Sequence, residues 1–174
     1  MDVGLIKQFV DEVLQKPTVT VIKADSYSSA PAKPYATVKV FSDKETGIPI
    51  PEAESVSPTE VNQLMSTWNI ANIELQFYSN TNVGEFSAQN LAKYFITALG
   101  FQRAKVFQKD NGFGIMNIRP RINADMPIPG GDQNDLVERR EIVEFTVNYV
   151  YTISDLDVPF FNEDGIRITV NQEL

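Results

Sequence analysis

Apolar residues recur at Val3, Ile6, Val10, Val13 and Leu14, with Leu5 and Phe9 widening the stripe. This spacing predicts an amphipathic helix. Asp2 suits its N-cap, and Pro17 stops it at or before Lys16. Val19 to Ala24 is a short β-rich run, and the Ser/Ala/Pro-rich stretch 26–34 reads as a loop. From Tyr35 to Phe41 the period becomes two, with Ala36, Val38 and Val40 on one face and Thr37, Lys39 and Phe41 on the other. Residues 42–66 then hold no good element. Gly47, Pro49, Pro51 and Pro58 interrupt them, and Asp43, Lys44, Glu45, Glu52 and Glu54 keep them wet. Such a stretch is either a structureless functional arm or a long hairpin extension of two strands.

Alternation returns at Trp68–Ser79, where Ile73, Leu75 and Phe77 oppose Glu74, Gln76 and Tyr78. Trp68 and Ile70 fall in the opposite phase, which predicts a bulge near Ala71 and Asn72. Ala88, Leu91, Ala92, Phe95, Ala98 and Leu99 mark a second helix. Asn82 and Glu85 are spaced as its capping box, and Gly100 suits its C′ position. Phe101–Phe107 fits a short helix or a strand equally well. Asp110-Asn111-Gly112 is a turn, and Phe113–Ile122 is a strand broken by Pro120. Residues 123–135 form a second loop. Glu141–Ile153 is a long strand with Val143, Phe145, Val147, Tyr149, Tyr151 and Ile153 on one face. Residues 155–165 read as a turn region, and 166–174 as a last short strand and tail.

The order is helix, strands, helix, strands. It predicts one α+β domain over 1–174: a mixed, mostly antiparallel sheet, two main helices on one face, and a long extended loop or hairpin arm.

Composition narrows the chemistry. The chain has 174 residues with no Cys and no His, so thiolate zinc sites, disulfides, Cys nucleophiles and His-based acid–base work are excluded. A net charge of −8 from 15 Lys+Arg and 23 Asp+Glu argues against a loose grip on nucleic acid. The N-terminus lacks the basic flank and apolar run of a secretory signal, and no window approaches a membrane span. Gly112 and Gly114 lack the strand–glycine–helix context of a phosphate loop. Asp125, Asp132 and Asp135 do not follow a calcium-loop spacing. The carboxylate pairs Glu138/Glu141 and Asp155/Asp157 read as charged surface. No catalytic residue, cofactor site or metal site is expected.

Two basic pairs stand out. Arg139 and Arg140 open the long strand, and they read either as inter-subunit ion-pairing groups or as a surface pair. Arg119 and Arg121 alternate with Asn117 and Asn123 as a polar stripe that suits solvent, an interface or passing nucleic acid. Together with Asp43, Glu45, Glu52 and Glu54 on the arm, these are the expected interface positions. The lone Trp68 reads as a core or edge anchor.

Several stretches, in order, resemble the neck-terminator (tail-terminator-like) proteins of long-tailed bacteriophages. They are Pro34-Tyr35-Ala36-Thr37-Val38-Lys39-Val40, Ile73-Glu74-Leu75-Gln76-Phe77-Tyr78-Ser79, and Leu91-Ala92-Lys93. Asp110-Asn111-Gly112-Phe113-Gly114-Ile115 with Ile118-Arg119 follows, then Leu136-Val137-Glu138-Arg139-Arg140 and Val143-Glu144-Phe145-Thr146-Val147-Asn148-Tyr149. The chain departs from the pattern by one residue missing between Phe77 and Tyr78, and by a longer, Pro/Gly-rich loop at 123–134.

The resemblance implies a non-enzymatic virion protein made in the host cytoplasm. Its partners would be itself, as a homohexameric ring, the tail tube protein with the sheath where there is one, and a head connector or stopper. The ring would stop tube growth and join head to tail, with DNA passing through an acidic lumen without specific binding. A head-completion or stopper protein on the portal side is the alternative, and a small carboxylate-only metal enzyme is a further one.

Overall fold

A computed structural model describes residues 1–25, 29–57, 60–80, 84–119, 121–127 and 137–154, with backbone alone at 53–57, 60–62, 127, 137 and 154. Helix α1 is Val3–Leu14. Asp2 caps it by accepting from the Gly4 N–H at 2.7 Å, and Gln15 ends it in a left-handed turn (φ 45°). Its apolar stripe is fully buried: Ile6, Phe9, Val10, Val13 and Leu14. The short strand β1 (Thr20–Lys23) lies parallel to the start of β2 (Tyr35–Ser57), with Thr20 opposite Tyr35 and Lys23 opposite Val38.

β2 and β3 (Glu60–Ser79) are consecutive strands joined through residues 58–59. Residues 42–57 and 60–66 are therefore strand, so of the two readings the hairpin extension holds and the structureless arm does not. Hydrogen bonding of the ladder accepts polar and Gly residues that periodicity discounts. Cross-strand contacts run in opposite order, Ser42 with Asn72 and Thr46 with Trp68, so the pair is antiparallel.

The expected bulge in β3 is also corrected. Asn69, Ala71, Ile73, Leu75 and Phe77 alternate without a break as buried residues, while Trp68 and Ile70 simply occupy the other face. The extra residue sits across in β2. Ala36, Val38 and Val40 pack on the core, yet Ser42 meets Asn72 on the outer face and Asp43 reaches Tyr149 on the core side. Seven steps along β2, from Tyr35 stacked on Tyr78 to Ser42, match six along β3, from Tyr78 to Asn72.

Helix α2 (Ala88–Ala98) is capped by Ser87, whose hydroxyl accepts from the Asn90 N–H at 3.2 Å. The capping box predicted at Asn82 and Glu85 is displaced by this cap, and Asn82 lies outside the described residues. The ambiguous segment after it becomes helix α3 (Gln102–Asp110). Phe107 of α3 packs on Phe9 and Phe113, with ring centroids 5.6 and 6.3 Å away. Gly112 takes φ 65°, a turn conformation that a side chain would strain. The predicted Phe113–Ile122 strand is shorter and split: β4 is Phe113–Met116, Asn117 adopts φ 50°, and β5 is Ile122–Asn123. A two-residue strand, β6 (Met126–Pro127), follows within the predicted second loop.

The last described strand, β7 (Val137–Ser154), lies between β3 and β4 in the sheet order β1-β2-β3-β7-β4. β4, β5 and β6 all pair with it antiparallel. The α+β class holds, with three helices rather than two among the described residues. Phe9, Phe77, Phe95 and Phe145 are buried at the centre of the core, in edge-to-face and tilted contacts.

The residues group into two compact units. One comprises 1–44 and 70–149 and holds the helices and the core. The other comprises 45–69 and the chain from Val150 onward, and its described part is made of β2, β3 and β7 alone. Within it, the Ser66 and Thr152 hydroxyls hydrogen-bond at 2.9 Å and the Thr46 hydroxyl donates to the Trp68 carbonyl at 3.0 Å.

Candidate interaction surfaces

The start of β7 carries a connected charge network. Arg139 donates to Asp125 at 2.7 Å, and the Arg140 N–H donates to the other oxygen of that carboxylate at 2.9 Å. The Arg140 guanidinium donates to Glu138 at 3.0 Å and lies 4.8 Å above the Tyr78 ring, which stacks on Tyr35. Lys33 holds the other oxygen of Glu138 at 2.7 Å. Burial pushes the pKa of Asp125 and Glu138 up, but the bonds and charges of Arg139, Arg140 and Lys33 outweigh it, and both carboxyls end below their ordinary values. Burial, then the Glu138 charge, pushes the Tyr35 hydroxyl up.

Glu141 differs. It continues the buried row of Val143, Phe145 and Val147 and is 5% exposed. Arg121 stands 3.6 Å from one of its oxygens, and the other has no hydrogen-bond partner among the described residues. Burial pushes its carboxyl up; Arg121 opposes this and Asp125 adds to it. Arg121 also donates to the Gln89 carbonyl of α2 at 3.2 Å. Arg119 pairs with Glu144 at 2.6 Å, and its N–H donates to the Glu144 carbonyl at 2.9 Å. Because β4 ends at Met116 and Asn117 turns, Arg119 and Arg121 do not form the continuous strand stripe the sequence suggests. All four candidate arginines are engaged within their own chain.

On β2, Asp43 is tied down as well. The Met1 ammonium donates to it, and the Tyr149 hydroxyl donates at 2.7 Å. Burial pushes this carboxyl up, but those bonds and the Met1 charge bring it below the ordinary range. Glu45 and Glu52 are exposed. Glu54 lies in β2 with backbone alone described, and Asp132, Asp135, Asp155 and Asp157 lie outside the described residues. The strand-only unit exposes large apolar side chains that sequence reasoning did not single out for contact: Ile48 (86%), Trp68 (50%), Val150 (44%) and Tyr151 (57%). Trp68 and Val150 were visible in the alternation as apolar residues on the face opposite the core, whereas Tyr151 continues the core-facing row of β7 and Ile48 lies where no alternation could be read.

Among the described residues, no group of three acidic side chains is disposed to hold a metal ion. No described helix is long and apolar enough to cross a membrane. The geometry therefore offers braced strands and uncovered apolar surface. The family model described as phage neck terminator protein matches residues 3–173.

The chain belongs to the phage neck terminator family.

It is thus a structural protein of the phage neck, and its place is the virion. No curated protein matches the chain. The match spans the helical unit and the strand-only unit alike.

Proposed function

We propose that this neck terminator closes into a homohexameric ring at the head-proximal end of the tail, caps the tail tube and any sheath, and presents the joining face to the head connector. The observation that carries the proposal is the family match over 3–173. The molecule supports it physically. A ring needs a heterologous contact, two different patches that meet and repeat until the rotation closes. Uncovered strands with exposed apolar side chains supply one such patch.

The four arginines act in this account as braces that fix the start of β7. The acidic excess suits a conduit, because a negative wall repels DNA phosphates and leaves the strand free to slide.

Native mass spectrometry across a concentration series, with negative-stain images, tests the oligomer. The expected result is a six-membered species with a central hole, formed alone or on added tails. A protein that stays monomeric with purified tails and instead binds filled heads contradicts the terminator assignment and favours a portal-side stopper.

A further inference from the structure

Helix α3 turns a basic and aromatic face to solvent in an acidic protein. At about 3.6 residues per turn, Phe101, Gln102, Lys105, Val106 and Lys109 fall within one arc of about 140°. All five are exposed. The opposite side of the helix is seated on the core through Ala104 and Phe107. The helix carries Arg103, Lys105 and Lys109 against Asp110 alone, in a chain whose net charge is −8.

Phe101 is held in place on that face. The Arg103 guanidinium lies 5.0 Å from its ring centroid, and donates to the Val13 carbonyl at 2.9 Å and the Tyr94 hydroxyl at 3.0 Å. Phe101 also stands at the N-cap of α3, where it makes no side-chain hydrogen bond and where Ser, Thr, Asp or Asn would serve the helix better. A residue that forgoes local stability and presents a fixed aromatic ring to solvent has the character of a contact anchor.

A patch of opposite charge lies on β2. Residues 45–52 carry Glu45 and Glu52 and no cation. Ile48, Ile50 and Glu52 share one strand face by the two-residue period, and all three are exposed. We propose that the outer face of α3 on one copy docks on the Ile48–Glu52 face of β2 on the next copy, with Phe101 and Val106 against Ile48 and Ile50, and Lys109 against Glu52. The inference rests on the ring reading and names its contact. The spans match: Phe101 to Lys109 is about 12 Å along a helix, and Ile48 to Glu52 is about 13 Å along a strand. A helix face and a strand face are different patches, so the contact is heterologous and repeats around a ring. The apolar side chains supply the affinity, and the ion pair at the rim fixes direction and speeds encounter.

The absence of cysteine makes the test direct. Val106→Cys and Ile50→Cys are made separately in the full chain, mixed, treated with a short bis-maleimide, and run beside native mass measurements of the same samples. The expected result is a covalent pair containing one of each variant, formed in the six-membered species and absent from either variant alone. Rings that form without that cross-link overturn the proposal and leave the ring reading standing. Cross-linked pairs that never close into six support the contact and overturn the ring. Phe101→Asp separates contact from folding, because Asp is a preferred N-cap. It is expected to keep or raise Tm while weakening association by about tenfold or more; unchanged association counts against the proposal. Lys109→Glu is expected to weaken the ring, and adding Glu52→Lys in the same chain to restore it. A double variant that associates no better than Lys109→Glu gives the α3 face to a different partner and overturns the proposal.

Discussion

Among the described carboxylates, Glu141 is the one whose position works against its charge. It sits in the core-facing row of β7, its partner Arg121 is at 3.6 Å, and one oxygen is unsatisfied among the described residues. Its pKa is raised in the folded state, which favours the protonated form, so stability falls as the pH rises from the ordinary carboxylate range through the raised folded value. Glu141→Gln is expected to gain about 1 kcal/mol at neutral pH, or roughly 2–4 °C in Tm for a chain of this size. The gain should vanish in acid, where the native carboxyl is itself protonated. Asp43 behaves oppositely. Its lowered pKa means that its contribution is present above the ordinary carboxylate range of about 4 and is lost as the pH falls through the folded value. Asp43→Asn should cost on the order of 1 kcal/mol at pH 7, discounted for partial exposure, and nothing in strong acid. Thermal melts of both variants from pH 3 to 8 check the opposite signs. A Glu141→Gln protein less stable than wild type at pH 7 would show that the Arg121 pair outweighs the burial. Arg140→Glu would set like charges together at Glu138 and remove the cation over Tyr78, so it should destabilise the protomer itself by roughly 2–3 kcal/mol. Charge reversal there reads out folding, not ring contact.

Elements were legible to the extent that their periodicity was carried by apolar residues. The stripe of α1, the core-facing row of β3 and the long β7 could all be read directly, because each buries one continuous apolar row. The far parts of β2 and β3 could not, since a strand that faces solvent needs only ladder hydrogen bonds, and Gly, Pro and acids hide it. Trp68 misled for a related reason: an exposed apolar residue mimics a phase break, and the true extra residue lay in β2, opposite Asn72. α3 was ambiguous because only Ala104 is fully buried in it. α2 was found by its stripe but given the wrong cap. Asn82 with Glu85 has the box spacing, whereas Ser87 sits immediately before the first helical residue and accepts from Asn90. Ser87→Ala should therefore cost about 1 kcal/mol, measured as a lower urea midpoint with an unchanged slope. No shift in that midpoint would mean that Ser79, which accepts from the Ala88 N–H at 3.0 Å, already suffices.

For the whole molecule, the interface was less visible than the fold. The charged candidates were chosen as residue types suited to contacts, but a strand start also needs bracing, and Asp125, Glu138, Glu141 and Glu144 claim all four arginines. Which surface stays uncovered depends on register and on where neighbouring strands stop, and neither is written in local pattern. Among the described residues, the exposed apolar side chains of the strand-only unit are Ile48, Ile50, Trp68, Val150, Tyr151 and Ile153. Bracing within the protomer and contact through exposed apolar side chains together predict rings that tolerate salt. Raising salt should weaken the intrachain ion pairs modestly while strengthening apolar contact. Dissociation of isolated rings at high salt, seen as a loss of the six-membered species, would instead place the contact on charges.

The central claim is that this neck terminator stops the tail tube. The most direct measurement is the length distribution of tubes assembled from purified tube protein on a tail initiator, imaged with and without the protein. The account predicts that adding it yields capped tubes that no longer extend, each with a ring at one end. Tubes that continue to grow unchanged, with the protein bound elsewhere or not at all, would contradict it.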